Sequence, residues 1–354
     1  MHMADALLSP AVGTVMCAVS TAAIAYSAAK IKKDELCEKK IPIIGVMGAF
    51  VFAAQMINFT IPMTGSSGHI GGGILLAAML GSYPALLAVS AVLIIQCLFF
   101  ADGGLLALGC NIFNLGVIPC LVVYPFIYKP LVKNVLINRR ITFAAIFAVV
   151  VSLQIGAFGV VMQTLLSGIT ELPFVTFLLF MQPIHLAIGV IEGIVTAAVL
   201  CFVYKTRPEI IESTFEGKAI QNSVSMKNII IILAVITVIA GGGLSLFVSS
   251  YPDGLEWSIE KTTGSPELET GYSLIEGAGA IQEKTSLLPD YNFREAGEEG
   301  GYAQHSSFLG TAVSGVTGSV ITFIIAGIAM FAIYFVKRKQ KDAVLKKRKP
   351  VTIK

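Results

Sequence analysis

Charged residues are scarce in this sequence, and their scarcity indicates its solvent. Asp, Glu, Lys and Arg together make up 13% of the 354 residues, whereas apolar residues make up 55%. The apolar residues form long blocks instead of the short amphipathic pattern of a soluble domain. The net charge of +3 is too small to favour binding of nucleic acid. The sequence therefore predicts an all-α, polytopic protein whose environment is the lipid bilayer, with no nucleic-acid partner.

Several chemical motifs are also missing. The six cysteines include no C-x-x-C pair, which argues against a disulfide framework or a thiolate zinc site. No G-x-x-x-x-G-K-[ST] sequence is present, so the chain has no P-loop for ATP hydrolysis. A nucleophile elbow and a metalloprotease H-E-x-x-H are absent as well. We therefore expect no enzyme, and any ATP-driven step would need another subunit.

The long apolar blocks predict the membrane spans. A helix needs roughly 20 apolar residues to cross the bilayer. This length fits residues 6–29, 41–60, 84–101, 111–130, 141–167, 175–204, 228–249 and 309–336, and a shorter span is expected at 70–82. The composition becomes polar at residues 206–227. We therefore expect a core of about seven spans at 1–205, a cytoplasmic linker at 206–227 and a two-span unit at 228–354.

The distribution of basic residues predicts the orientation of these spans. Lys and Arg concentrate in residues 30–40, 129–140 and 205–227 and in the tail from Lys337, which are alternate connections. Cytoplasmic loops carry such an excess of basic residues. The long loop 250–308 carries eleven acidic and three basic residues and is expected outside. The N-terminus and His69 then share the outer face, and the C-terminus is cytoplasmic.

Two histidines on that face could bind a metal ion. The Met1 amine, the His2 amide after deprotonation and the His2 imidazole offer three nitrogens in fused chelate rings, and His69 could supply a fourth. Each histidine alone is weak evidence, since most such side chains are simply solvated. Planar nitrogen coordination favours Ni²⁺ or Cu²⁺, Co²⁺ stays an alternative, and Zn²⁺ prefers a tetrahedron. Met1, His2 and His69 are therefore the predicted metal ligands.

Four polar residues could support this site. Asp5 either accepts a hydrogen bond from a ligand or caps the first helix. Ser67 belongs to a segment, residues 66–73, in which no bulky neighbour hinders close approach of the main chain. Asn111 and Asn114 are amides near the outer surface. We expect the two amides to brace the outer loops rather than to bind metal.

Two further ionisable residues, His185 and Glu192, are expected at membrane depth. Their spacing of seven places them on one face of a helix. Charges inside a membrane are costly and are often functional, so a metal or proton path is one interpretation. The other is pairing with polar neighbours inside the bundle, which we favour because both residues lie half a helix from the outer face.

In combination, these motifs resemble the CbiM/NikM family, the substrate-specific components of energy-coupling-factor (ECF) transporters for cobalt and nickel. The matching stretches are residues 1–10, 67–81, 96–116 and 185–193. Residues 252–256, Pro-Asp-Gly-Leu-Glu, are similar to the PDGLE signature of the NikN-like unit that is often fused to this family. One departure is Met3-Ala4-Asp5-Ala6, where many members have Ile-Pro-Asp-Gly.

The resemblance implies a function and a set of partners. It implies that Ni²⁺ or Co²⁺ is the transported substrate, bound through Met1, His2 and His69, with no organic cofactor. It also implies a prokaryotic plasma membrane location, a CbiQ/NikQ-like coupling subunit and CbiO/NikO-like cytoplasmic ATPases. Two alternatives remain open, a secondary transporter with His185 and Glu192 as a proton relay and a membrane metalloenzyme with its metal at the same site.

Overall fold

A computed structural model describes residues 1–33, 41–133, 137–216, 226–244, 249–266, 268, 273–293 and 308–348. In chain order its helices are α1 Pro10–Lys33, α2 Ile41–Gln55, α3 Gly73–Leu80, α4 Ser82–Phe100, α5 Leu108–Val132, α6 Asn138–Ser167, α7 Phe174–Thr206, α8 Pro208–Glu216, α9 Met226–Val238, α10 Gly254–Thr263, α11 Ser273–Thr285 and α12 Phe308–Arg348. Two short antiparallel strands, β1 Phe59–Ile61 and β2 Ser66–Gly68, lie between α2 and α3. The prediction of an all-α polytopic bundle is confirmed.

Six of the described helices are long and apolar enough to cross a membrane, namely α1, α4, α5, α6, α7 and, within α12, Leu309–Val336. Helices α2 and α9 are apolar but shorter. The span expected at residues 70–82 differs most from the structure. Helix α3 has eight residues, all buried, and so rises only about 12 Å, less than half the hydrocarbon thickness.

Helix α5 is irregular along most of its length. Residues Phe113–Tyr128 are π-helical and contain Pro119 and Pro125. Proline has no N–H to donate, so the ordinary α-helical ladder is interrupted at both positions. Pro119 packs against Gly73 so closely that a Cβ added there would lie 2.5 Å from its Cγ. The irregular helix thereby fixes the start of α3 next to the N-terminal half of α5, which carries the predicted supporting amides Asn111 and Asn114.

The C-terminal part of the chain packs against the first part along its whole depth. In the membrane, α12 lies on α2, where Phe323 contacts Gly45. At the end that holds the amino terminus, the Ser67 N–H donates to the Pro252 carbonyl at 2.8 Å. At the opposite end, the Thr214 hydroxyl of α8 donates to the Met79 carbonyl at 2.9 Å. Helix α8 lies within the expected linker 206–227, of which residues 217–225 lie outside the described part of the chain.

Close packing of α1 on α5 generates a test of the fold. A Cβ on Gly109 would lie 2.3 Å from the Cys17 main-chain nitrogen, and backbone atoms cannot move aside as a flexible side chain can. We expect Gly109→Ala to force the two helices apart at a cost of about 1–3 kcal/mol. Its thermal unfolding midpoint in detergent should fall by several degrees. Gly327→Ala in α12 is the matched control, because no atom lies within 4 Å of an added Cβ there. Equal midpoints for both variants would contradict the packing.

Candidate metal centre

The first three residues of the chain are inserted among the loops at one end of the bundle. Met3 is fully buried and Met1 is 5% exposed. The Asn111 side chain clamps the Met3 main chain, since its Oδ1 accepts from the Met3 N–H at 2.7 Å and its Nδ2 donates to the Met3 carbonyl at 3.2 Å. The Gly104 N–H donates to the same carbonyl at 3.0 Å. This clamp fixes the position of the amino terminus.

The three predicted ligands, Met1, His2 and His69, lie together in the structure. The Met1 nitrogen lies 3.3 Å from His69 Nε2, although 68 positions separate the two residues. The rings of His2 and His69 are stacked, with centroids 5.1 Å apart and planes inclined by 13°. In the described part of the chain, no group of three or more His, Cys, Asp or Glu side chains is placed to hold a metal ion. A metal site at this position therefore depends on main-chain nitrogen and on movement of side chains from their ion-free positions.

A carboxylate positions the His2 ring. His2 Nδ1 lies 3.2 Å from Asp102 Oδ1, and Asp102 Oδ2 accepts from the Tyr291 hydroxyl. His2 Nε2 is buried without a hydrogen-bond partner. Chelation in rings fused to the His2 amide uses Nδ1, so it requires the imidazole to turn away from its present contact. Asp102 is then placed to accept the other N–H of the ring, as carboxylates often do for metal-bound imidazoles.

The loop expected outside, residues 250–308, contributes a carboxylate that the sequence analysis missed. Asp253 Oδ2 lies 2.5 Å from the Met1 nitrogen. Asp253 Oδ1 caps helix α10, accepting from Leu255 N–H at 2.7 Å and Glu256 N–H at 2.9 Å. Glu256 Oε2 accepts in turn from the Asp253 N–H at 3.0 Å, which completes a capping box. The spacing of Asp253 and Glu256 predicts this helix cap from the sequence. It does not predict the contact between Asp253 and the Met1 amine.

Of the predicted supporting residues, Asp5 and Ser67 brace the loops, whereas Asn114 joins α5 to α6. Asp5 Oδ1 accepts from the Ala107 N–H at 2.9 Å and so holds the loop that carries Asp102. The Ser67 hydroxyl donates to the Tyr251 carbonyl at 2.8 Å. Asn114 Nδ2 donates to Gln163 Oε1 at 2.8 Å. Asp5 lies in a 3-10 turn before α1, which begins only at Pro10.

His185 and Glu192 lie below this site, on the buried face of α7. His185 Nδ1 lies 2.8 Å from the Met181 carbonyl, and Glu192 Oε1 accepts from the Gly72 N–H at 2.9 Å. The second polar atom of each, His185 Nε2 and Glu192 Oε2, has no partner. His185 lines a small pocket together with Met1, His69 and Asp253, whereas Glu192 lines the adjacent one. The structure thus brings His185 near the predicted ligands and leaves Glu192 one pocket farther in.

Burial and charge set the protonation of the site. Burial lowers the pKa of His69 well below its ordinary value, and the positive charge of the nearby amino terminus and His2 lower it further. Burial likewise lowers the pKa of His2, although Asp102 opposes the shift. Burial alone would raise the pKa of Asp253, but the ammonium charge and hydrogen bond lower it overall. At neutral pH both imidazoles are therefore neutral, with lone pairs available to a cation.

These protonation states predict how metal binding depends on pH. With both imidazoles already neutral, the ion must displace protons only from the amine and from the His2 amide, so about two protons should leave per ion near pH 7. Affinity should therefore rise with pH. Titration calorimetry in buffers of different ionisation enthalpy counts the protons directly. A count near zero would indicate a carboxylate site and contradict nitrogen coordination.

The Asn111 clamp generates a second prediction. Asn111→Ala removes both hydrogen bonds to Met3, so the amino terminus loses its fixed position. We expect Ni²⁺ affinity, measured by calorimetry, to fall about 10–100-fold, as is typical when a group that orients metal ligands is lost. Thr214→Ala is the matched control, because the Thr214 hydroxyl also donates to a main-chain carbonyl, that of Met79 at 2.9 Å, but at the opposite end of the bundle. Equal losses in both variants would show a general effect on stability.

The chain is similar in sequence to known transport proteins. The family model "Cobalt uptake substrate-specific transmembrane region" (CbiM) matches residues 2–210, and the PDGLE domain model matches residues 227–335. A putative fused nickel transport protein NikMN of Archaeoglobus fulgidus is 29% identical over 334 residues, which are 91% of this chain and 95% of the relative. A putative cobalt transport protein CbiM of Methanocaldococcus jannaschii is 28% identical, over 60% of this chain and 90% of its own.

A solved structure shows the same fold. The crystal structure of a transition metal transporter superimposes with a TM-score of 0.52 at 28% identity, over 61% of this chain and 98% of its own. The resemblance to the CbiM/NikM family with a fused NikN-like unit is thereby confirmed. The chain belongs to the CbiM family of cobalt uptake substrate-specific transmembrane proteins, carries a PDGLE domain and is a multi-pass membrane protein of transition metal transport.

Proposed function

We propose that this chain is the substrate-capture subunit of an ECF-type ABC transporter that imports Ni²⁺ or Co²⁺ across the plasma membrane. The proposal is supported mainly by one observation: the Met1 nitrogen, the His2 ring and His69 Nε2 lie close together in a buried position. The site lies among the loops that the charge distribution assigns to the outside. An ion captured there from the exterior would leave its water for the amine, the amide and imidazole of His2, and His69.

The choice of ions follows from the donor atoms. Amine, deprotonated amide and imidazole nitrogens suit the later first-row divalent ions better than Mg²⁺ or Ca²⁺, which prefer oxygen. The stacked rings of His2 and His69 lie nearly parallel, 13° apart, and would need to tilt for both to direct a nitrogen at one ion. Relatives named for nickel and for cobalt are both similar to this chain. The proposal therefore includes both Ni²⁺ and Co²⁺ as transported ions.

Import against a gradient needs energy from outside the chain. Because the sequence has no P-loop, we propose that two CbiO/NikO-like cytoplasmic ATPases supply it through a CbiQ/NikQ-like coupling subunit in the membrane. In this proposal residues 1–205 form the metal-binding core. Residues 228–354 form the NikN-like unit, and residues 206–227 connect the two.

The two rival functions have less support. A proton relay needs His185 and Glu192 to exchange protons, yet their hydrogen bonds run to Met181 and Gly72 and not to each other. A metalloenzyme needs a general base near the metal. The carboxylates near the site have other partners, since Asp253 Oδ2 pairs with the Met1 ammonium, Asp102 contacts His2 and Tyr291, and Asp5 Oδ1 accepts from the Ala107 N–H. These contacts favour neither rival chemistry.

The decisive test is energy-dependent uptake. The full chain, reconstituted in vesicles with its coupling subunit and ATPases, should take up Ni²⁺ or Co²⁺ only when ATP is supplied on the cytoplasmic side. A variant with one Ala inserted before Met1 should lose uptake almost completely, because the amine leaves its chelate position. Met63→Ala is the control, since Met63 lies fully exposed in the turn that precedes His69.

Three outcomes would decide against the proposal. Uptake driven by a proton gradient without ATP would favour the secondary transporter. Normal uptake by the extended chain would remove the amine from the site. Loss of uptake in Met63→Ala as well would show that the loop, rather than the amine, is what the insertion disturbs.

A further inference from the structure

We propose that Asp253 is itself a ligand of the transported ion, so that the PDGLE turn completes the metal site with one oxygen donor. The inference rests on the proposed function, since it concerns the same ion. It assigns a role to the C-terminal unit, which the family matches leave without one. It also changes the expected coordination from four nitrogens to four nitrogens and one carboxylate oxygen.

The two oxygens of Asp253 have different surroundings. Oδ1 is engaged by the first N–H groups of α10 and is fully used by the helix cap. Oδ2 makes its one described hydrogen bond to the Met1 nitrogen, at 2.5 Å. An oxygen this close to a donor nitrogen can share a metal ion with it after a small separation, since cis ligands at about 2.0–2.2 Å from a metal lie roughly 3 Å apart. Oδ2 therefore lies within reach of an ion bound to the Met1 amine.

Charge favours the same assignment. In the ion-free structure Asp253 balances a buried ammonium, and a buried charge without a partner is strongly destabilising. When an ion binds the amine, the positive charge that Oδ2 faces moves from the nitrogen to the metal, and with the His2 amide deprotonated the metal and amide together keep a net charge of +1. A carboxylate that stays in place then gains most by binding the metal directly.

The main chain around Asp253 is held in place. Residue 252 pairs with Ser67, whose N–H and hydroxyl both bond to the turn, so Asp253 is fixed to the strand that leads to His69. The indole N–H of Trp257, one helical turn on, donates to the Thr64 carbonyl at 2.9 Å. Gly254 lies against α7, where a Cβ would be 2.8 Å from Ile188 Cδ1 and 3.3 Å from His185 Nε2. Only glycine allows this approach.

The test compares substitutions that keep the helix cap. Asn and Ser are both good N-caps, so Asp253→Asn and Asp253→Ser preserve the start of α10 while removing Oδ2. Ser also avoids placing an amide N–H against the amine. Glu256→Gln is the matched control, because it removes a carboxylate from the same turn but keeps the capping box, which accepts Gln. Each purified full-length chain is loaded with Ni²⁺ and measured by X-ray absorption at the nickel edge and by calorimetry.

The expected result is a change of coordination number confined to Asp253. Wild type and Glu256→Gln should show five-coordinate nickel, without the sharp edge feature of planar four-coordinate Ni²⁺. Both Asp253 variants should gain that feature and bind Ni²⁺ at least about tenfold more weakly, because a charged ligand is lost.

Two results would overturn the inference, and they differ in what else they affect. Planar four-nitrogen nickel in all four proteins would remove Asp253 from the ligand set and leave the proposed function intact, with Oδ2 accepting from the metal-bound amine. Nickel surrounded by oxygen donors alone, or no nickel bound to the wild type, would overturn the proposed function and the Asp253 ligand together.

Discussion

The buried amino terminus is the constraint on which the packing of the surrounding loops depends. A positive charge removed from water must be paired, and a chain end must be fixed if it is to serve as a ligand. Asp253 supplies the paired negative charge, and Asn111 fixes the main chain at Met3. Because those two residues belong to a loop of the C-terminal unit and to α5, the pairing of one nitrogen draws together parts of the chain that lie far apart in sequence.

The membrane helices serve this arrangement as a scaffold. The π-helical stretch of α5 begins two residues after Asn111 and includes Asn114, so the irregularity adjoins the amides that contact the first residues. Gly104 shows how closely these loops pack, since a Cβ there would lie 1.8 Å from Asp5 Oδ1. Loops packed this tightly keep water from the imidazoles, and burial is the main reason why their pKa values fall.

Sequence reasoning reached the helical architecture and the shared face of Met1, His2 and His69, because hydropathy and charge placement report membrane crossings and sidedness directly. It missed Asp253 and Asp102 as contacts of that site. Nothing in the local pattern around either carboxylate differs from an ordinary helix cap or loop acid, and their partners lie 252 and 100 positions away. It also expected α3 to cross the membrane, since composition alone cannot separate a buried short helix from a span. Whether the predicted division at residues 206–227 is a functional boundary stays a prediction.

The location of Met1 and Asp253 on one polypeptide has a consequence for assembly. Their encounter is intramolecular, so it is governed by an effective concentration that tethering typically raises to the millimolar range. The fraction of molecules with the PDGLE turn docked is then independent of how sparsely the protein is distributed in the bilayer. The docked fraction would therefore be the same in a cell that makes only a few copies. Two separate chains would instead have to meet by lateral diffusion, and their docked fraction would fall as the copy number falls.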